Sequence, residues 1–107
     1  MDRETVRLPE EGKPESWFLY ILECADGSYY TGIAKDLDHR FKMHTGGKAS
    51  RYTRSRLPVR MLYSEPCESR THALVRECEV KAYPRNRKEA LVRRGRAQRT
   101  VTQALRD

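Results

Sequence analysis

The fold is decided by residues 17–33, which read Trp17-Phe-Leu-Tyr-Ile-Leu-Glu-Cys-Ala-Asp-Gly-Ser-Tyr-Tyr-Thr-Gly-Ile33. The first part, Trp17–Leu22, is a continuous run of aromatic and aliphatic residues, which is typical of a strand buried on both faces. The last part, Tyr29–Ile33, predicts a second strand, and Asp26-Gly27 between them is a hairpin signal. The segment therefore predicts a β-hairpin whose first strand lies at the centre of a sheet.

The length of the hairpin loop decides which side chains share a face. A two-residue loop at Asp26-Gly27 would pair Tyr20 with Ile33 and place Tyr20 and Tyr30 on opposite faces, because side chains alternate along a strand. A three-residue loop, with a left-handed Gly27, would pair Tyr20 with Gly32 and place both tyrosines on one face. We expect the three-residue loop, with Gly32 leaving room for a substrate opposite Tyr20.

The remaining elements are predicted from capping residues and apolar spacing. In chain order they are a helix from Asp36 to Gly46-Gly47, a basic loop over 46–58, a strand over 59–63, a helix from Ser69 to about Ala82 and a helix from Pro84 to about Arg94. The order β-β-α-β-α-α predicts an α+β fold, in which a small three-stranded antiparallel sheet is flanked by three helices. We expect residues 1–16 to be a disordered leader, residues 17–94 the domain, and residues 95–107 a basic tail.

Composition limits the class of protein. The 107 residues make one domain and contain no apolar run long enough to cross a membrane. Three cysteines without a C-x-x-C pair indicate reduced thiols and a cytoplasmic location. The net charge is +7, and seven basic residues but no acidic residue lie between Asp38 and Glu65. This charge favours a phosphate-bearing partner or, as the alternative, a solvated surface.

Several polar residues fall in an order that resembles a known family. Phe18-Leu19-Tyr20 and Tyr30-Thr31-Gly32 stand in the two predicted hairpin strands, Arg40 and His44 in the first helix, and Glu77 in the second. In this order the chain resembles the GIY-YIG nucleases, from about Trp17 to Leu91, and in particular their small single-domain bacterial members. It departs from the family pattern in the first signature, which keeps only its tyrosine, and at Thr31 and Ile33.

The resemblance implies an endonuclease that hydrolyses DNA phosphodiester bonds with Mg²⁺ or Mn²⁺. By this resemblance Tyr20, Tyr30 and Arg40 would be catalytic, and Glu77 would bind the metal. On chemical grounds we add His44 to the catalytic candidates, because Tyr30 and His44 could both handle protons or bond to phosphate. Elementary chemistry agrees, because a cationic site next to a metal ion favours a tyrosine anion, which would let Tyr20 act as a general base or orient the water. The guanidinium of Arg40 suits phosphate oxygens. One carboxylate can hold a Mg²⁺ ion that keeps most of its waters.

Each of these residues also has a purely structural explanation. Strand tyrosines commonly pack with only the hydroxyl in water, Arg40 and His44 would fit a solvated helix face, and Glu77 can pair with Lys81 four residues on. The alternatives to an enzyme are a nucleic-acid-binding module of the same fold and a subunit that is active only with a protein partner.

The basic loop carries an aromatic residue among its arginines, as nucleic-acid-binding segments often do. Such arginines contact phosphates but do not read the base sequence. We therefore expect DNA binding with low sequence preference and no membrane association. The residues predicted to bind nucleic acid are Lys35, Lys48, Arg51, Tyr52, Arg54 and Arg56.

Overall fold

The computed structural model describes the backbone of residues 16–106 and the side chains up to residue 95. The predicted leader lies outside the described residues apart from Ser16. The elements are β1 (Trp17–Glu23), β2 (Tyr29–Ala34), α1 (Leu37–Thr45), α2 (Arg51–Arg54), β3 (Arg60–Cys67), α3 (Arg70–Ala82) and α4 (Arg85–Arg106). The α+β class and the predicted order of elements are confirmed, with one additional short helix.

The three strands form an antiparallel sheet in the order β2-β1-β3. The doubly buried β1 is central, as its apolar run predicts. In the hairpin, Tyr20 pairs with Gly32 and Leu22 with Tyr30. The amide of Cys24 donates to the carbonyl of Ser28 at 2.8 Å, and Gly27 has φ of +84°. The three-residue loop and its left-handed glycine are therefore confirmed.

The two faces of β1 pack into two separate cores. Leu19 and Ile21 pack against Ala73 and Val80 of α3 and against Leu91 of α4. The other face carries a second cluster, which includes Tyr20, Leu22, Tyr30, Leu37 and Phe41. Helix α1 thus covers one face of the sheet, and α3 and α4 cover the other.

Three predicted boundaries are wrong. The basic loop contains α2, which is too short to give a periodic apolar signal, although Ser50 caps it by accepting a bond from the amide of Thr53. Strand β3 continues to Cys67 through Pro66, which an edge strand tolerates because its outer side needs no ladder hydrogen bond. Helix α4 continues to Arg106 instead of ending near Arg94, so the predicted basic tail is helical.

Thr31, one of the departures from the family pattern, places a polar group in the core. Its side chain points to the same face as Ile21, and its hydroxyl is buried without a hydrogen-bond partner among the described residues. The described cysteines Cys24, Cys67 and Cys78 are free thiols. Within residues 16–106, no helix is both long and apolar enough to span a bilayer.

Candidate active site

Two tyrosines from the hairpin meet on the face covered by α1. Tyr20 on β1 lies opposite Gly32, and its ring centroid is 6.4 Å from that of Tyr30 on β2. The space above Gly32 is filled by the Tyr20 ring itself, because a Cβ atom on Gly32 would stand 2.6 Å from the Tyr20 hydroxyl oxygen. The expectation that Gly32 leaves room for substrate is therefore wrong, and the glycine makes room for Tyr20.

A buried histidine from α1 completes the cluster. His44 is 1% exposed, and its Nε2 lies 2.8 Å from the Tyr20 hydroxyl, which belongs to a side chain that is also 1% exposed. The other ring nitrogen, Nδ1, lies 2.8 Å from Oγ1 of Thr53 in α2, a residue with no exposed surface. The Tyr30 ring packs edge-on to His44, with centroids 5.2 Å apart. Strand β1, helix α1 and the short helix α2 thus each supply a side chain to one polar cluster within the otherwise apolar core on this face of the sheet.

Burial controls the protonation of this cluster. Desolvation raises the pKa of Tyr20 to about 12, with Tyr30 and Glu77 adding to the rise and Arg40 opposing it. In the protein without a metal ion, the cost of burying the Tyr20 anion outweighs the attraction of Arg40. That the anion is favoured next to a metal ion stays a prediction. Burial, and then the charge of Arg40, hold the pKa of His44 below its usual value. Near neutral pH both side chains are therefore uncharged.

Arg40 and Glu77 approach the tyrosines from different layers. Arg40 lies on α1, is exposed, and its charge acts on both Tyr20 and His44. Glu77 lies on α3, which packs on the opposite face through Ala73 and Val80. The body of α3 therefore lies on the face opposite Tyr20, while the Glu77 charge still contributes to the raised pKa of Tyr20. That the Glu77 carboxylate reaches the side of the two tyrosine hydroxyls stays a prediction.

The surroundings of Glu77 bear on its predicted metal role. Its side chain is 20% exposed and forms an ion pair with Lys81 at 3.3 Å, which is the structural alternative raised by the sequence. The described residues contain no group of three His, Cys, Asp or Glu side chains that could enclose a metal ion. A partly accessible single carboxylate fits a Mg²⁺ ion that keeps most of its waters and binds a substrate phosphate, and it does not fit an ion held by protein ligands alone.

The predicted nucleic-acid residues divide into two groups. Tyr52 stacks on Tyr30 at a centroid distance of 6.0 Å, and the guanidinium of Arg56 covers its other face at 3.8 Å. Arg56 also pairs with Asp26 at 3.1 Å, so both residues are committed to contacts within the protein. The other four are exposed, and within the described part of the chain none of them pairs with an acidic side chain. These four are Lys35, Lys48, Arg51 and Arg54.

Comparisons with known proteins show the family to which this chain belongs. Residues 16–90 match the GIY-YIG catalytic domain. This chain belongs to the GIY-YIG family. UPF0213 proteins of Staphylococcus aureus strains Mu3 and Mu50 are each 44% identical to it over 79 residues, which cover 74% of this chain and 96% of theirs. The solution NMR structure of a UPF0213 protein from Bacillus halodurans is 45% identical and covers 72% of this chain and 82% of its own, with a TM-score of 0.48. Membership of the GIY-YIG family indicates nuclease-type activity.

Sequence reasoning missed one part of this GIY-YIG site. Thr53 lies within the segment predicted to be a basic loop and is not among the predicted site residues. In the structure its hydroxyl oxygen lies 2.8 Å from Nδ1 of the buried His44 and 2.9 Å from Ser50 Oγ. The one available signal was Ser50 three residues before Thr53, which is a helix-capping pattern. That signal predicts a helix start but says nothing about the side chain that the helix presents to His44.

Proposed function

We propose that this protein is a divalent-metal-dependent endonuclease that hydrolyses DNA phosphodiester bonds with low sequence preference. The observation that supports this most directly is the hydrogen bond between Tyr20 and His44, buried beside Tyr30 within range of the Arg40 charge. A buried polar pair costs stability unless it is satisfied, and its placement under an exposed cationic surface favours a chemical role over a packing role.

The reaction needs an attacking water, a proton acceptor and charge stabilisation at phosphorus. We assign Tyr30, which is half-buried, to orient the water, and Tyr20 to receive its proton. Tyr20 is neutral, so it can accept that proton only as it passes its own hydroxyl proton to His44 Nε2 at 2.8 Å. Arg40, which is always protonated, would bind the non-bridging phosphate oxygens.

Glu77 is the residue that would hold the metal ion. A bound Mg²⁺ or Mn²⁺ ion would supply Lewis-acid stabilisation of charge on the phosphate and leaving oxygens. To bind it, Glu77 would release Lys81, whose exposed side chain loses only a surface ion pair. The carboxylate also opposes ionisation of Tyr20 in the free protein. A cation there would remove that opposition.

DNA would lie along the surface that α2 presents next to Tyr30. Lys48, Arg51 and Arg54 are exposed there, and they suit phosphate contacts, which position a duplex without reading its sequence. The single small domain offers little further surface for base recognition, which is why we propose low sequence preference. Free thiols fit a cytoplasmic location for this reaction.

One observation favours a second candidate, a nucleic-acid-binding module without catalysis. Glu77 is a single carboxylate already paired with Lys81, and the structure describes no cluster of ligands around it. A module of this kind would keep the basic surface and bind DNA without cleaving it. A subunit that gains activity only with a protein partner would behave in the same way when tested alone.

The test is cleavage of labelled single-stranded, duplex and branched DNA with Mg²⁺, with Mn²⁺ and with a chelator. We expect cleavage that the chelator abolishes. Glu77→Gln should slow cleavage by roughly 100-fold or more, because a catalytic metal supplies several kcal/mol of charge stabilisation, while DNA binding is kept. Glu79→Gln on the same helix is the matched control, since that carboxylate pairs with Arg76 instead.

Two outcomes contradict the proposal. Cleavage that survives the chelator, or a Glu77→Gln variant as active as Glu79→Gln, would remove the metal role. Binding of all three DNA forms without cleavage under any metal condition would favour the binding module instead.

A further inference from the structure

Thr53 occupies an unusual position for a polar residue in a surface helix. It has no exposed surface, and its Oγ1 lies 2.8 Å from His44 Nδ1 and 2.9 Å from Ser50 Oγ. Its own amide donates to Ser50 Oγ at 3.1 Å. The chain of contacts Tyr20–His44–Thr53–Ser50 therefore runs from the sheet through α1 to the first turn of α2.

The two tautomers of His44 differ in whether the Tyr20 hydroxyl hydrogen has an acceptor. Within the described residues, the Tyr20 hydroxyl has one hydrogen-bonding contact, to His44 Nε2. Its other polar neighbour, Arg40, carries donors and no acceptor, so it cannot take the hydroxyl hydrogen. If Nε2 carried the histidine proton, the Tyr20 hydrogen would be left buried without a partner, which is costly.

The opposite tautomer satisfies every group. Tyr20 then donates to Nε2, Nδ1–H donates to Thr53 Oγ1, and the Thr53 hydroxyl donates to Ser50 Oγ. In this arrangement His44 and Thr53 each accept one hydrogen bond and donate another, from Tyr20 at the start of the chain to Ser50 at its end. The arrangement depends on Thr53, because it is the residue that accepts the Nδ1 hydrogen.

We propose that Thr53 is a positioning residue that holds His44 in its Nδ1–H tautomer, so that Nε2 is free to take the proton of Tyr20. The catalytic meaning of this inference rests on the proposed function, whereas the tautomer itself does not.

The proton transfer that follows is balanced. As the attacking water forms its bond to phosphorus, the bond from phosphorus to the leaving oxygen breaks. One O–H bond of the water breaks as well, and a new O–H bond forms at the Tyr20 oxygen. The original O–H bond of Tyr20 breaks at the same time, and an N–H bond forms at His44 Nε2, giving an imidazolium whose Nδ1–H stays bonded to Thr53. Burial and the nearby Arg40 charge disfavour that cation, so the imidazolium readily gives up the proton, which the leaving oxygen can take. With the other tautomer, Nε2 would already carry a hydrogen and could not accept one.

The first measurement is the tautomer of His44, by ¹⁵N-resolved NMR of the imidazole ring near neutral pH, with His44→Gln used to assign its signals. We expect a protonated Nδ1 and a bare Nε2 in the wild type and in Thr53→Ser, which keeps the hydroxyl. Thr53→Val has the same shape without the hydroxyl and should shift the ring towards the Nε2–H form. A wild-type ring protonated on Nε2 would overturn the inference by itself, whether or not Thr53→Val folds.

The second measurement separates this inference from the proposed function. Thr53→Val should lower the cleavage rate constant by roughly 10- to 100-fold with little change in KM, and Thr53→Ser should restore most of it, since a histidine in the wrong tautomer is a poor proton acceptor. A protein that cleaves nothing but shows the tautomer change keeps the inference and contradicts the endonuclease. A Thr53→Val variant that cleaves normally with an unchanged tautomer contradicts the inference and leaves the endonuclease standing.

Discussion

At the scale of single residues, Gly32 and Tyr20 show how one missing side chain shapes the site. The ring of Tyr20 lies directly over Gly32, so that a Cβ at position 32 would stand 2.6 Å from the hydroxyl oxygen and 2.7 Å from Cζ. Cβ atoms do not approach other atoms so closely in folded proteins, and the ring or the strand has to move. Glycine is therefore required at this position by the hydroxyl that bonds to His44.

Gly32→Ala is expected to break that bond. The displaced Tyr20 hydroxyl would lose its 2.8 Å contact with His44 Nε2, and cleavage should slow by roughly 10-fold or more, because general acid–base groups contribute about 100-fold or above when correctly placed. The cleavage rate and the His44 ring signals are the measurements. Gly27→Ala is the control, since its Cβ meets nothing within 4 Å and only the φ of +84° is strained.

The two alanine variants should therefore lose different properties, Gly32→Ala its cleavage rate and Gly27→Ala its folding stability. Gly27→Ala should lose about 1 kcal/mol of folding free energy and keep its cleavage rate, because a left-handed residue strains the hairpin and not the site. If Gly32→Ala cleaves as fast as Gly27→Ala, the placement of Tyr20 has no role in the reaction.

At the scale of elements, the sequence predicts the hairpin because its signals are local. The apolar run of β1 and the Asp26-Gly27 turn predict the two strands and the turn between them. They leave two registers open, and the need to bring Tyr20 and Tyr30 together selects the one that is observed. Ser69 as a cap and Pro84 at the start of the last helix are local signals of the same kind, and those helices begin where predicted.

The errors in the prediction arise where the deciding contacts are not local. Helix α2 has four residues, which are too few to show a periodic pattern. Its contribution to the candidate site is visible in the contact of Thr53 with His44. The layer to which Glu77 belongs follows from the packing of Ala73 and Val80 against β1, which spacing along the chain does not reveal. The candidate site residues were therefore recognisable as a set, but the contact of Thr53 with His44 and the face of the sheet that α3 covers were not.

The exposed arginines of α2 give a prediction at this scale. If Arg51 and Arg54 both contact phosphates, changing them to Gln should flatten the slope of log K against log salt by about 0.9 × 2, or roughly 1.8, for duplex DNA. Arg93 and Arg94 on α4 form a matched pair, because they are also exposed but lie on a helix that packs on the other face of the sheet. Binding constants over a series of salt concentrations provide the measurement.

An equal change of slope for the two pairs would show a diffuse electrostatic effect instead of a binding surface. Arg56 is left unchanged in this test because it holds Tyr52 and Asp26. Removing the Arg56 side chain would disturb the stacking of Tyr52 on Tyr30 and would also remove a positive charge.

At the scale of the whole molecule, the sheet separates a mainly aliphatic core from a core that contains the candidate site. On the α3 and α4 side, aliphatic residues pack with the partly buried ion pair of Arg76 and Glu65 at 2.6 Å. On the α1 side, the core is built around Tyr20 and His44, so polar groups that are able to transfer a proton take the place of apolar contacts. The stability of the molecule is therefore linked to the protonation of its site.

The linkage has a definite sign for His44. Burial and the charge of Arg40 lower the pKa of His44 in the folded protein, whereas in the unfolded chain the pKa is about 6.5. Below that pH the unfolded chain binds a proton that the folded protein refuses, so the stability present above about pH 6.5 is lost as the pH falls towards the folded-state pKa. The groups facing the ring are Tyr20 of β1, Tyr30 of β2, Thr53 of α2 and Arg40 of its own helix, of which only Arg40 is charged.

Urea unfolding, followed by Trp17 fluorescence between about pH 7.5 and pH 5, tests this linkage. The wild type should lose free energy of unfolding across the range, and His44→Gln should lose clearly less, although its stability at neutral pH is lower because a buried hydrogen-bonded ring is gone. The comparison uses the slope of unfolding free energy against pH for each protein. The lower stability of the variant at neutral pH therefore does not affect it. His39 and His72 are exposed and present in both proteins, and their contribution cancels. Equal slopes would mean that the folded protein accepts a proton on His44 without cost, and the histidine could then not readily give up the proton it takes from Tyr20.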